Sequence, residues 1–500
     1  MIPRQNFIIT LLIAYFLAPH VAGAQGHDVP LTIQGLDQRT LQSAASRASG
    51  GITLGRTNDL GLMFANPASL QTLDGFQLSL GGVQRYSSMK QVQQYAPLKY
   101  YSNFSLLMEG LTHLIPDPRY GDTIIVNGDT TIIRFGGNPG DSVQRPYDSI
   151  GPNWSRSKNH ALPIQAMIGV PFTIDDMRFT IGIGAIEYAN LNNYYQNNNV
   201  LSPSILSQRP SPFPLPTNVN TVEARWSQFI RLRDGRMRGY GAALSGSLSD
   251  NIHIGFSGMI LKGSTDDFEQ RNARGRLTCF ANFFRLDSVY GRATKSGTSD
   301  YSGQEYTISA MYLGNYITLG ASVKPPMTIT RTFSTQVRVD TNGTSSAFTQ
   351  TGEDKVRLPW RGSVGLSIKM REGLLLSFEY EMRSTASARY SSPDTTYNPW
   401  LSSSVFRVGA EYRASDWLTL RAGIRGQAEV FEPEGNPIAG EPVMHSVYST
   451  GLGFSFGPAR LNIAYEYGTM KYQDVWGSNV NLNSDTRHAI TADVAYVFPW

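Results

Sequence analysis

Hydrophobic residues recur at every second position in several segments of the chain. The clearest example is 406–413, where Phe, Val, Ala and Tyr alternate with Arg and Glu, and the same period recurs in 374–383, 418–425 and 461–467. Successive side chains of a β-strand point to opposite faces. Each of these segments therefore predicts a strand with one apolar face and one charged face.

Along the whole chain this period predicts about fourteen strands, an even number. Their expected bounds are 75–88, 159–170, 177–190, 236–249, 251–268, 302–313, 314–338, 355–370, 373–386, 402–415, 416–431, 442–457, 458–473 and 484–500. The predicted fold class is all-β and antiparallel. In a soluble sandwich the apolar face would form the core, whereas in a membrane barrel it would meet lipid, so alternation alone leaves both open.

The connections between the predicted strands alternate in length, and this favours the barrel. Tight turns are expected at Asp250, Gly314, Arg371–Glu372, Ser415–Asp416 and Gly457–Pro458. Long connections are expected at 89–158, 191–235 and 269–301. Outer-membrane barrels have short periplasmic turns and long extracellular loops, an asymmetry that a sandwich does not require. Residues 75–500 are therefore predicted to form an antiparallel transmembrane β-barrel of about fourteen strands, with those three long connections outside.

The two ends of the chain agree with this prediction. Arg4, an apolar core over 7–18 and the small residues Ala22-Gly23-Ala24 predict a signal peptide over 1–24. Its dozen or so apolar residues are too few to span a bilayer as a helix. The last predicted strand alternates up to the aromatic Trp500, which resembles the assembly signal of outer-membrane barrels and implies the barrel assembly machinery as a partner during biogenesis.

Composition excludes several classes of function. The chain carries 43 basic and 39 acidic residues, for a net charge of +4, and they are scattered without blocks, so no nucleic-acid partner is predicted. A single cysteine, Cys279, and seven scattered histidines provide no metal-ligand spacing, so neither a metal nor a cofactor is expected. The string over 453–457 matches a hydrolase nucleophile elbow, but a turn and another strand follow it instead of a helix. The protein is therefore predicted not to be an enzyme.

The segment between the signal peptide and the first strand is rich in small residues and too irregular for a strand pair. It contains Asn66-Pro67-Ala68 shortly before Phe76. It resembles the N-terminal hatch of the outer-membrane transporter family for long-chain fatty acids and aromatic hydrocarbons, which carries an Asn-Pro-Ala motif at this place. Similarities at Gly239-Tyr240-Gly241, Leu358-Pro359-Trp360 and the 412–422 hairpin extend the resemblance to about half of the chain. Residues 25–74 are accordingly expected to form a hatch inside the barrel lumen.

The resemblance implies a function as well as a fold. Members of that family lie in the bacterial outer membrane and take hydrophobic compounds from outside through a fourteen-stranded barrel plugged by the hatch. The ligand is released when the hatch shifts and leaves sideways through a gap in the wall at a kinked strand. The sequence alone does not identify the residues of such a gap here.

Two groups of apolar residues are candidates for ligand contact. The first would form a helical stripe in the first long loop, and the second lies in the hatch just before the Asn-Pro-Ala motif. Packing against neighbouring loops, or simple packing of the plug, would explain the same patterns. The residues are Phe104, Leu107, Met108 and Leu111 in the loop, and Leu60, Leu62, Met63 and Phe64 in the hatch.

The functional hypothesis is uptake of hydrophobic compounds, either long-chain fatty acids or aromatic hydrocarbons, across the outer membrane. The expected partners are a hydrophobic small-molecule ligand and outer-membrane lipid. Two alternatives stay open at this point. One is a barrel that serves as a binding or shuttle component of a protein secretion machine, and the other is a general porin.

Overall fold

The structure is a computed structural model. It describes residues 36, 40, 43–95, 123–126, 129–132, 150, 153–175, 177–202, 222–279, 284–341, 343–371, 373–433, 440–476 and 479–498. No helix in this part of the chain is long and apolar enough to cross a membrane.

Fourteen antiparallel strands form one closed barrel. They are β1 (Phe76–Tyr95), β2 (Trp154–Ile174), β3 (Met177–Asn190), β4 (Val222–Ser249), β5 (Ile252–Cys279), β6 (Phe284–Leu313), β7 (Ile317–Lys324, continued as Met327–Thr341), β8 (Thr344–Leu358, continued as Arg361–Arg371), β9 (Leu374–Arg383), β10 (Ser403–Arg413), β11 (Leu418–Ala428), β12 (Met444–Phe456), β13 (Ala459–Trp476) and β14 (Asn479–Phe498). Neighbours in sequence pair with each other, and β1 closes the ring by pairing with β14 from Phe76–Phe498 to Tyr95–Asn479. The predicted fold class and strand number are confirmed.

The alternating side chains face as a membrane barrel requires. On β10, Phe406 and Tyr412 are 51 % and 42 % exposed on the outer surface, whereas Arg407 is 5 % exposed and faces the lumen. An apolar outer face and a polar lumen are the pattern of a barrel that spans lipid. This arrangement decides between the two readings of the alternation, because a sandwich would bury the apolar face.

The tight turns lie together at one end of the barrel, here called the turn rim. Gly314 donates its N–H to the carbonyl of Ile317, and Gly373 and Gly457 have positive φ values of 78° and 59°. Such values are in the left-handed region that glycine adopts without steric cost. From the usual asymmetry of these barrels we expect the turn rim to be the periplasmic end and the opposite end, called the loop rim, to be extracellular.

Several strands extend further beyond the loop rim than their sequence pattern predicts. β4 and β5 have 28 residues each and β6 has 30, whereas 9–11 residues cross a bilayer. Much of the ranges 191–235 and 269–301, expected to be loops, is therefore strand, including Asn193–Ser202, which pairs along β4. These outer parts carry polar residues on both faces, so the apolar alternation used for the prediction ends before the strands do.

The described part of the hatch, residues 43–75, contains only short helical turns. An α-helix spans Ala44–Ala48, and 3₁₀ helices span Leu60–Leu62 and Pro67–Thr72. Ser43 caps the α-helix by accepting a hydrogen bond from the Ser46 N–H, and Asp59 caps the next helix through the Gly61 N–H. Such caps satisfy backbone groups that short helices leave unpaired.

Glycines on the inner face of the wall let the hatch come into backbone contact with it. A Cβ built on any of nine such glycines would meet hatch atoms at 3.0 Å or less. They are Gly169, Gly182, Gly184, Gly255, Gly320, Gly365, Gly409, Gly423 and Gly451. They lie on eight strands around the barrel, so the hatch touches the wall on most sides. We call this set the glycine belt.

Candidate functional site

The lumen contains a cavity of about 800 Å³ between the hatch and the loop rim. Hatch residues Thr53, Phe64 and Ala65 lie on its periplasmic side and form its floor. Its volume is within the roughly 300–1,000 Å³ of small-molecule sites. This cavity is the candidate ligand site.

Aromatic side chains surround the mouth of the cavity near the loop rim. Trp154 meets Tyr194 edge to face at 5.4 Å between ring centroids, and Phe431 meets Tyr472 in the same way at 5.1 Å. The 384–402 connection folds inward and adds Tyr397 and Trp400. Burial and, to a lesser extent, the nearby Asp354 carboxylate raise the pKa of Tyr397 to about 12, so this phenol stays neutral at physiological pH. The mouth therefore presents aromatic surface suited to an apolar chain or ring, with Arg156 lying over the Tyr194 ring at 4.1 Å from its centroid.

The lower wall of the cavity is ionic, and its charges are paired in ladders across neighbouring strands. Arg407 on β10 donates to Glu379 and Glu381 on β9, at 2.5 Å in both cases. Lys324 on β7 lies 2.7 Å from Glu305 on β6. Among the lining residues the structure describes, ten are Lys or Arg and seven are Asp or Glu. The lining of the cavity as a whole thus carries more basic than acidic residues.

Four wall carboxylates also hold the hatch. Glu379 accepts the backbone N–H groups of Thr53 and Leu54 at 2.6 and 2.9 Å, as well as Arg407. The other three each accept a hydrogen bond from the hatch in the same way. They are Glu466 with Arg47 at 2.5 Å, Glu411 with Arg56 at 2.9 Å and Asp493 with the Ala44 N–H at 2.5 Å. Hydrogen bonds to an ionised group are stronger than neutral ones, so these contacts fix the floor of the cavity.

Three residues of β11 and β12 that line this cavity each have a buried side-chain nitrogen atom without a hydrogen-bond partner among the described residues. These atoms are Nη1 of Arg425 and Nε2 of Gln427, which carry N–H donors, and Nε2 of His445, which donates only in the tautomer that protonates it. Arg425 and Gln427 are two residues apart on one face of β11, and His445 is the register partner of Gln427 on β12. We call this group the donor triad. A buried polar group without a partner costs free energy, so the triad is suited to a ligand that supplies oxygen acceptors.

The structure places the predicted hatch residues in two different surroundings. Phe64 lines the cavity, and its carbonyl accepts hydrogen bonds from Lys324 and Thr307 at 3.1 Å each. Leu60 and Met63 pack instead onto glycines of the β2–β3 wall, and Leu62 is buried with 2 % exposure. The loop candidates Phe104, Leu107, Met108 and Leu111, like the predicted signal peptide and Trp500, lie outside the described residues.

The Asn-Pro-Ala motif binds the wall below the cavity. Pro67 occupies the first turn of its 3₁₀ helix, where the absence of an N–H costs nothing. The Ala68 N–H donates to Ser309 Oγ at 2.8 Å, and Gly255 leaves room for Pro67 and Ala68. Asn66 is fully buried, and its side-chain Nδ2 donates to the Thr53 carbonyl at 3.3 Å. The motif thus connects two parts of the hatch and holds them against β5 and β6.

Replacing Asn66 with alanine is expected to loosen this turn slightly while the barrel stays assembled. The change removes one neutral hydrogen bond, worth about 1 kcal/mol, but keeps Pro67 and the Ala68 contact. Small-solute permeability of intact cells should rise by no more than a few-fold, with unchanged heat-modifiable gel mobility. A fully open channel, or a loss of the folded barrel, would show that Asn66 does more than join the two hatch segments.

The wall beside the cavity is discontinuous between β2 and β3. These strands pair from Ile174–Met177 at the turn rim up to Gln165–Ile186. Above that level β2 continues along β1, whereas β3 has a bulge at Glu187–Ala189 and the chain then follows β4. The two strands therefore part at the level of Ile186 and Tyr188, both of which line the cavity.

Sequence reasoning identified the lumenal arginines and glutamates but not how they group. Arg425 belongs to the alternating charged face of β11, and Gln427 follows two positions later on the same face. Their meeting with His445 depends on the β11–β12 register, which alternation does not determine. The glycine belt had a detectable signal, since one glycine falls within most strands on the face opposite the apolar one.

Comparison with solved structures shows the fold. The chain is similar to a Pseudomonas aeruginosa FadL homologue, with 14% identity, coverage of 93% of this chain and 100% of the other, and a TM-score of 0.55. The monoaromatic hydrocarbon channel TodX, in a deltaS2S3 mutant, has 16% identity, the same coverage and a TM-score of 0.55. The P. putida toluene transporter TodX has 16% identity, coverage of 92% and 99%, and a TM-score of 0.52. The resemblance inferred from sequence is thereby confirmed for the fold.

No protein-family model matches the sequence, and no curated protein matches it significantly. Of these structural neighbours, TodX is described as a monoaromatic hydrocarbon channel and as a toluene transporter.

Proposed function

We propose that the protein takes up hydrophobic compounds with an anionic head group, such as long-chain fatty acids, across the bacterial outer membrane. The donor triad carries this proposal. An apolar cavity alone would suit any hydrocarbon, but the unpartnered N–H groups of Arg425 and Gln427 in its wall favour a ligand with carboxylate oxygens.

The distribution of the lining residues supports a ligand that binds with its acyl chain in the mouth and its head group below. The aromatic mouth can hold an acyl chain, and Arg407 and Arg425 lie below it among the ion pairs near the hatch. A carboxylate accepts hydrogen bonds only, so it matches Arg425 and Gln427, which both present N–H donors. A neutral aromatic hydrocarbon would fill the mouth but leave the donor triad unsatisfied.

The parting of β2 and β3 supports a sideways exit. A ligand at Ile186 and Tyr188 lies beside the level at which the pairing of these strands ends. From there an acyl chain could pass into the lipid without moving the whole hatch out of the barrel. The family resemblance implies an exit at a kinked strand, and the bulge in β3 fits that description.

Binding by the purified protein tests the choice of ligand. Wild type should bind oleate more tightly than its methyl ester or toluene, and Arg425→Gln should weaken oleate binding about tenfold, since a hydrogen bond to a charged group contributes about 1.5–3 kcal/mol. Methyl oleate binding should not change. Arg413→Gln, which removes an exposed arginine at the turn rim, is the matched control.

The opposite result is equally clear. If toluene and oleate bind alike and Arg425→Gln affects neither, the cavity selects for apolar surface alone. The proposal of an anionic head group would then be wrong, and a hydrocarbon would be the better ligand assignment.

A further inference from the structure

Two pairs of like-charged residues face outward beside the lipid-facing surface near the loop rim. Arg238 on β4 is the register partner of Lys262 on β5. Arg357 on β8 is the register partner of Arg389, in the inward-folding connection after β9. All four side chains are exposed. We call them the outer cation pairs.

The outer cation pairs lie where the apolar outer surface ends. Tyr240 and Ile260 lie two residues closer to the turn rim than Arg238 and Lys262, respectively. Both are exposed on the outer face. Below the second pair are Trp360 and Met382, which are exposed as well. Both pairs therefore border the lipid band, at the level where lipid head groups lie.

The outer cation pairs have no counter-ion in the part of the chain that the structure describes. None of the four side chains makes a hydrogen bond or an ion pair there. Glu187 is in register with Arg238, but the β3 bulge turns it into the lumen, where Arg85 donates to it at 2.7 Å. Asp300 also faces outward, but its register partner is Ser264. It therefore lies two residues further from the membrane than Lys262 does.

Like charges directly opposite each other on paired strands are destabilising. An anion between them removes this repulsion. The Cβ atoms of such partners are about 4.5–5.5 Å apart, so both side chains can reach one phosphate group. Arginine in particular binds phosphate through two parallel hydrogen bonds.

We propose that the outer cation pairs bind the phosphate groups of the phosphorylated glycolipid in the outer leaflet. The position at the edge of the lipid band, the absent counter-ions and the spacing of the pairs all match a lipid that carries phosphates at its head group. This interaction is separate from the lumenal cavity and does not depend on which compound is transported.

Binding of lipid A to the purified full chain in detergent tests this proposal. Each of the doubly substituted variants Arg238→Gln/Lys262→Gln and Arg357→Gln/Arg389→Gln should lose one lipid site, and the two combined should bind phosphorylated lipid A at least tenfold more weakly, because each cation near an anionic membrane surface strengthens binding several-fold. Dephosphorylated lipid A should bind wild type as weakly as it binds the variants. Arg292→Gln/Arg338→Gln is the control, since it removes two exposed charges that already have partners, Asn272 and Asp340.

Three results would overturn the proposal. Unchanged binding by both variants would show that the pairs do not contact the lipid. Equal weakening by the control would show that only net charge matters. Competition by inorganic phosphate at the concentration of the lipid would show a site for free anions. Heat-modifiable mobility confirms that each variant is folded before it is measured, so each of these results is decisive.

Discussion

Replacement of Glu379 with alanine is expected to release one side of the hatch and make the barrel permeable to small hydrophilic solutes. Glu379 is 2 % exposed and accepts the N–H groups of Thr53 and Leu54 as well as Arg407. Its removal leaves two hatch N–H groups and a buried guanidinium with fewer partners. Breaking a buried charge pair from one side costs about 3–5 kcal/mol.

This cost should fall on hatch docking and not on the barrel, whose backbone hydrogen bonds run between strands. Solute entry into intact cells should therefore rise at least tenfold while heat-modifiable mobility stays normal. Glu381→Ala is the control, because Glu381 lies two residues away on β9 and binds Arg407 and Arg383 but, in the described residues, no hatch group. Equal leakage in both variants would mean that the loss of wall charge, not of hatch contact, opens the lumen.

Replacement of Gly423 with alanine is expected to have an effect of similar size through sterics alone. A Cβ at Gly423 would overlap the backbone of Ser49 and Gly50, and Gly50 has no side chain to move aside. Because both partners are backbone, either the hatch or the strand must shift. Overpacking of this kind costs about 1–3 kcal/mol.

Gly426→Ala on the same strand is the matched control for this variant. A Cβ there meets only the terminal methyl of Met444, at 3.6 Å, so the hatch is unaffected. Gly423→Ala should leak small solutes and lose protection of the hatch from added protease, whereas Gly426→Ala should behave as wild type. If Gly423→Ala keeps the lumen closed, the backbone contact at the glycine belt does not hold the hatch in place.

The barrel could be predicted from the sequence because its physics is local to each strand. Residues such as Phe406 and Arg407 show their opposite faces in the order of the chain, and the tight turns at Gly314 and Gly457 separate one strand from the next. The strand number then follows without knowledge of any contact between distant residues.

The site could be predicted only in part, because it depends on register and on polar outer strands. Alternation places Arg425 in the lumen, but only the pairing of β11 with β12 brings His445 beside Gln427. The extensions of β4, β5 and β6 lack an apolar face, so residues 269–279 were predicted to be loop although they form strand. The hatch motif was recognisable, yet its partners Ser309 and Gly255 are about 190–240 residues away.

Uptake of a long-chain fatty acid by intact cells tests the central claim most directly. Cells that lack their own transporter should accumulate radiolabelled oleate faster when they produce this protein, and the gain should be reduced by Arg425→Gln but not by Arg413→Gln. If accumulation of oleate, and of toluene as well, is the same with and without the protein, the barrel does not carry hydrophobic compounds and the proposed function is wrong.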